Sequence, residues 1–205
     1  MTTISKVYDS WDQAQSAVRA LQANGTPASE ISVVANKYID DRYATDRDIR
    51  AVAPDEPSAT GIGTGAGAAV GGGVGLLTGM GLMAIPGLGP VVAAGWLAAT
   101  AAGAAAGAAT GGIVGALVDS GEDDTTANVY AETVRRGGTM VTVRTDETRR
   151  PDVEKVLNRY QPIDHKSRAA EYGASGWRAF DEKAGPYHPN ASEVERIRRK
   201  WTDAA

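Results

Sequence analysis

The sequence contains no cysteine among its 205 residues, which excludes disulfides, thiolate metal sites and cysteine nucleophiles. Phenylalanine occurs once and histidine twice, at His165 and His188. Two histidines so placed offer no ligand set at metal spacing, and Asp164–His165 is read as a solvated pair. Positive charge is not in excess either: the formal net charge is −4, whereas a nucleic-acid partner calls for a basic patch. No Gly-Lys-Ser or Gly-Lys-Thr occurs, so a phosphate loop of that type is excluded. GASG at 173–176 is not the G-x-S-x-G nucleophile elbow, and no base partner accompanies it. The opening MTTISKVYDSWDQ has neither a basic start nor an apolar core, so no signal peptide is expected and the N-terminal part is placed in the cytosol. The most extended absence is of charge itself: residues 61–118 contain no Asp, Glu, Lys or Arg.

What fills that charge-free run is glycine, alanine and branched aliphatics. Gly63, Gly65 and Ala68 loosely match a dinucleotide fingerprint, but APDEPSAT precedes them where a strand is required, and no acid follows at the needed distance. A flexible linker would be serine-rich and solvated, whereas here Leu76, Leu77, Leu82, Val91, Val92, Leu97 and Ile113 recur and serine is absent. Spacing favours helix packing. Gly63, Gly67, Gly71, Gly75 and Gly79 lie four apart, and Gly103, Gly107, Gly111 and Gly115 repeat the device. Small residues at that interval let helix backbones approach closely in lipid. IPGLGP at 85–90 interrupts any helix, so the run divides into two helical arms of about 25 and 28 residues, each long enough to cross a ~30 Å hydrocarbon core. The first arm carries seven Ile, Val and Leu, which favour insertion by about 0.3–0.6 kcal/mol each. Either arm alone is a marginal span; a packed antiparallel hairpin, oligomerised, is the stronger expectation. Arg47 and Arg50 before it and Arg135 and Arg136 after it place both termini in the cytoplasm by the positive-inside rule. The alternative is a soluble assembly whose hairpins form the oligomer core, in the cytoplasm.

The flanks follow a different grammar. Residues 1–38 read strand, helix, strand: Ser10 and Gln13 form a capping-box signature, Ala14, Ala17, Val18 and Leu21 share a helical face, Gly25 is the stop, and ISVVAN at 31–36 is β-branched. Residues 39–60 form a polar linker. Residues 119–166 resume with a helix at 124–136, stopped by Gly137 and Gly138, then TMVTVRT as a strand. Glu122, Asp123 and Asp124 complement the start of that helix. Pro151 opens a further helix with Val153, Val156, Leu157 and Tyr160 on one face, and 162–166 is offered as a last short strand. Neither flank holds enough apolar surface for its own core. An α+β, ferredoxin-like sheet with packed helices, built from both flanks and interrupted by the 61–118 hairpin, is expected. Residues 167–205 form an aromatic tail with a short amphipathic helix capped by Ser192. Its Trp177, Phe180 and Tyr187 are expected to dock the tail onto its own domain, and together with Arg198, Arg199 and Trp201 they are the alternative contacts for a partner or for anionic headgroups.

KVYDSWDQAQSAVRAL…ISVVAN, YAETVRRGGTMVTVRTD and GWRAFDEKAGPYHP together resemble bacterial general stress proteins of the heat-induced stress protein type. The resemblance implies a small cytoplasmic α/β domain linked to stress responses, with no catalytic residues to carry over. The expected function is therefore a non-enzymatic stress-response protein, held at the bacterial inner membrane and self-associating through its glycine hairpin, without cofactor, metal or nucleic acid. A ligand-sensing module and a membrane pore or remodelling protein are the rival expectations.

Overall fold

The computed structural model describes residues 1–36, 81–85, 88–107, 112–184, 187–191 and 193–195. The chain is α+β. In order come β1 (Thr2–Tyr8), α1 (Trp11–Ala23), a 3₁₀ turn (Ala28–Glu30), β2 (Ile31–Ala35), β3 (Gly81–Ile85), β4 (Gly89–Ala94), α2 (Trp96–Gly107) and α3 (Gly112–Asp119). Then follow α4 (Asp124–Arg135), β5 (Thr139–Thr145), α5 (Arg150–Asn158) and α6 (His165–Ala174). The strands make one five-stranded sheet in the order β1-β5-β2-β4-β3, with every neighbouring pair antiparallel. β5 pairs with both β1 and β2, so β1–α1–β2 is a split β-α-β unit with β5 between its strands.

The flanking helices form where local chemistry demands. Ser10 Oγ accepts the Gln13 amide N–H at 3.3 Å and donates to Gln13 Oε1 at 3.0 Å, and Ala14, Ala17, Val18 and Leu21 are buried. Asp123 caps α4, its carboxylate accepting the Thr126 amide at 3.1 Å. Gly137 ends that helix at φ +104°, a conformation that costs a side-chain-bearing residue. Pro151 lies in the first turn of α5, and Val153 and Leu157 are buried.

Two cores sandwich the sheet. On one face α1 and α5 cover Ile4, Tyr8, Ile31, Val33, Val141 and Val143. On the other, α2, α3 and α4 cover Val7, Val34 and Met140. β5 is consequently buried on both faces. This differs from the single-faced coverage of a ferredoxin-like sheet, because α4 and the helices of the charge-free segment together form a second helical layer.

That segment is the main correction. Gly81–Ile85 and Gly89–Ala94 form a β-hairpin, not the arms of two helices about a turn: they pair as antiparallel strands, with Leu88 N–H on Ile85 C=O at 3.0 Å. β-Branched Val91 and Val92 favour this, and the open edge of β2 receives β4 through Val33–Ala94, Val34–Ala93 and Ala35–Val92. The second arm is not one helix either. α2 has 12 residues and α3 has 8, about 18 and 12 Å long, with Gly112 at φ +75° opening α3. Gly103 and Gly107 thus belong to α2 and Gly115 to α3; Gly111 and the first stripe, Gly63 to Gly79, lie outside the described residues. Among the described residues no helix is long and apolar enough to cross a membrane. Instead Ile85, Leu88, Val91, Leu97, Ala101, Ile113 and Leu117 are buried in the same core as Tyr130 and Val134.

Two further expectations change. Residues 162–166 make no strand: Ile163 N–H bonds Val7 C=O at 2.8 Å, then Asp164 accepts the Ser167 amide at 2.8 Å and starts α6. The cap expected at Ser192 falls on Asn190, whose Oδ1 accepts the Glu193 amide at 3.0 Å.

Two predictions follow from these junctions. Gly95, between β4 and α2, sits at φ +92°, and a Cβ there would stand 2.5 Å from the Ile31 carbonyl oxygen. Gly95→Ala is expected to cost about 2 kcal/mol or more by urea denaturation, from backbone strain and steric conflict together. The Asp123 carboxyl is held below its ordinary 3.8 by the Thr126 hydroxyl and then the Thr126 amide. A depressed folded value stabilises fully above the unfolded value and is lost as pH falls through the folded one. Asp123→Ala should cost about 1 kcal/mol at neutral pH, and its deficit against the parent should shrink as denaturation is repeated below pH 3.8.

Candidate functional site

Three of the six candidate partner contacts are occupied by the chain itself. Phe180 is 9% exposed within the α2–α3–α4 core, and its backbone N–H donates to Asn128 Oδ1 at 3.0 Å. Trp177 packs partly buried beside it and meets Tyr172 edge-on, with centroids 5.6 Å apart. Tyr187 lies against the guanidinium groups of Arg135 and Arg136, at 5.4 and 4.9 Å from its ring centroid. These contacts are made to the chain's own domain, and the cause is plain. A tail bearing three aromatics gains more from covering its own apolar face than from staying in water. Arg198, Arg199 and Trp201 lie outside the described residues.

The tail closes on a buried carboxylate. Glu132, 1% exposed on α4, receives Arg136 Nε at 2.7 Å and Arg135 Nη1 at 3.2 Å. The Arg136 guanidinium also stacks over Tyr172 at 4.2 Å and pairs with Glu193 at 3.6 Å. The Tyr187 hydroxyl donates to Glu193 Oε2 at 2.6 Å. Burial alone would lower the Arg136 pKa, but the hydrogen bond and charge of Glu132 raise it; burial and then the bond to Glu193 raise that of Tyr187. Each charged group is thus compensated inside the cluster. The arrangement fastens the tail and α4 together.

An open volume lies elsewhere, on the α2–α3 side of the sheet. A cleft of about 440 Å³ is floored by Thr3 and Arg144 from β1 and β5 and bounded by Trp96 and Thr100 of α2 and by Asp119 and Ser120 at the end of α3. Thr3 and Arg144 are register partners. The Arg144 guanidinium lies 3.6 Å over the Trp96 ring, and the buried Trp96 Nε1 has no hydrogen-bond partner. No ion pair among the described residues includes Arg144 or Asp119. Sequence reading missed this cleft because Trp96 was assigned to a membrane arm and Arg144 was read only as part of a strand. A lone arginine within TMVTVRT was the only local signal. Among the described residues no group of three or more His, Asp or Glu could hold a metal ion.

Truncating Arg136 to alanine should destabilise the domain by about 3 kcal/mol, the low end for a broken buried pair because Arg135 still faces Glu132. The exposed Arg150–Glu154 pair provides the comparison: Arg150→Ala should cost less than about 1 kcal/mol. Chemical denaturation measures both, and limited proteolysis should cut the 181–195 region faster in the Arg136 variant alone. Comparison of the chain with protein-family models, with curated proteins and with solved structures returns no match.

Proposed function

We propose that the chain is a non-enzymatic stress-response protein of the cytoplasm that self-associates through its first glycine stripe, residues 61–80. Supporting the family part of this reading, the segments that resemble general stress proteins, β1–α1–β2 and α4–β5, assemble into one split β-α-β unit. The ferredoxin-like character resides in that unit, onto which the β3–β4 hairpin and its helices have been added.

The observation that carries the self-association part is the membership of β2 and β3 in one sheet. Residues 36 and 81 therefore lie on the same side of any bilayer. Residues 61–80 amount to about one membrane crossing, and a single crossing would separate strands that are joined. With the second arm committed to the domain core, the two-arm hairpin reduces to Gly63, Gly67, Gly71, Gly75 and Gly79. A stripe that cannot cross alone is matched best by the same stripe of another copy, because close backbone contact between small residues needs a partner of equal shape. Contact with the bacterial inner membrane is then peripheral, or made by the assembled oligomer.

The test compares the full chain with a version lacking residues 61–80, by light scattering after size exclusion and by carbonate-washed membrane fractionation. The expected result is a soluble oligomer for the full chain and a monomer of unchanged thermal stability for the deletion. Retention of only the full chain in washed membranes would restore integral insertion. Two monomers would overturn self-association. Deleting 61–118 is not equivalent, since it removes β3, β4, α2 and α3 and should unfold the domain.

A further inference from the structure

We propose that the cleft between β1, β5, α2 and α3 binds a small zwitterion carrying one carboxylate and one ammonium group, of the α-amino acid class. Its size falls within the range of small-ligand pockets: about 440 Å³ against roughly 300–1,000 Å³. Its charges come as an unpaired set. Arg144 enters from the floor and Asp119 from the rim at the end of α3, and neither belongs to an ion pair among the described residues. Among the described residues the arginines at 135, 136, 150 and 168 do pair with carboxylates, so the protein does not lack acids to quench an arginine.

The two charges select the ligand. A simple carboxylate would satisfy the Arg144 fork, the geometry guanidinium is suited to, but would meet Asp119 as a like charge. A simple amine would have the converse difficulty. A zwitterion satisfies both at once, and the α3 terminus adds to the preference for its ammonium group, since a helix C-terminus is the negative end of the backbone dipole. Ser120 and Thr3 supply hydroxyls on the same cleft.

The guanidinium is also held in place before any ligand arrives. It lies 3.6 Å over the Trp96 ring, and Trp96 follows Gly95, whose positive φ and lack of room for a Cβ beside the Ile31 carbonyl fix the turn into α2. A flexible arginine would lose rotamer freedom on binding; a stacked one has already lost it. This site is independent of the self-association reading, since none of its residues lies in 61–80.

The experiment uses the full chain and titrates it by calorimetry with the free α-amino acids one by one. Beside each run are its des-amino carboxylic acid and its methyl ester, which remove one charge at a time. At least one amino acid is expected to bind saturably, with both analogues weaker by about tenfold or more, the usual value of a charge-assisted hydrogen bond. Asp119→Asn, at an exposed position, and Arg144→Met should each weaken binding by a similar factor. Thr100→Trp, on the exposed side of α2, keeps both charges but fills the cleft and should abolish binding with thermal stability unchanged. The Trp96 indole N–H resonance should shift on titration in the parent protein. Failure of every amino acid to bind overturns the proposal. So does binding that Asp119→Asn and Thr100→Trp leave unaltered, or des-amino acids that bind as tightly as the amino acids.

Discussion

Everything on one side of the molecule depends on the pairing of β2 with β4. The register Val33–Ala94, Val34–Ala93 and Ala35–Val92 converts an uncharged, glycine-rich stretch into the outer half of a sheet. Polar groups then lock the junction. Ser32 Oγ donates to the Ala94 carbonyl at 2.9 Å and accepts the Ala98 amide at 3.4 Å, which ties β2 to the start of α2. Asn36 Nδ2 bridges the Leu88 carbonyl in the hairpin turn and the Arg135 carbonyl at the end of α4. Without that edge, β2 would present a row of unpaired backbone groups, and α2 would lose the strand that leads into it.

The flanks were readable because their signals are local. The stripe Ala14, Ala17, Val18 and Leu21, the stop at Gly137 and Gly138, and Pro151 in the first turn of α5 each act over a few residues, and each recurs in the fold. The hairpin was not readable in the same way. A run without charge carries no polar alternation, so Val91 and Val92 look as helical as Leu97; their pairing is decided by β2, far away in sequence. The cleft was less legible still. Trp96 and Arg144 say nothing singly, and only the strand order brings the start of α2 over the end of β5. The aromatic tail was half legible, since its hydrophobic residues announced docking on its own domain but not which face they cover.

Coverage of both faces also explains why polar residues sit so deep. Tyr8 and Tyr130 are buried, with hydroxyls on the Leu157 and Ser5 carbonyls at 3.0 and 3.4 Å. Burial raises the pKa of both phenols, so they remain neutral donors. Thr142 of β5 reaches Ser5 of β1 at 3.4 Å. A sheet with one wet face would let these groups turn to water; a sheet enclosed on both sides must satisfy them internally. The same enclosure governs Glu132, which needs two arginines and a tail above them because α4 has no solvent side at that position.

The placement of β5 between β1 and β2 bears on how the chain comes into being on the ribosome. The strand that joins β1 to β2 is the one synthesised last, at Thr139–Thr145. At about 5–20 residues per second, roughly a hundred residues separate the completion of β2 from the arrival of its partner, an interval of several seconds or more. Throughout it, β1 and β2 have no shared neighbour, and Ile4, Ile31 and Val33 have only α1 to cover them. Translation speed across the glycine-rich middle thus becomes a variable of folding. A pause there lengthens the time for which two apolar strands wait for a third.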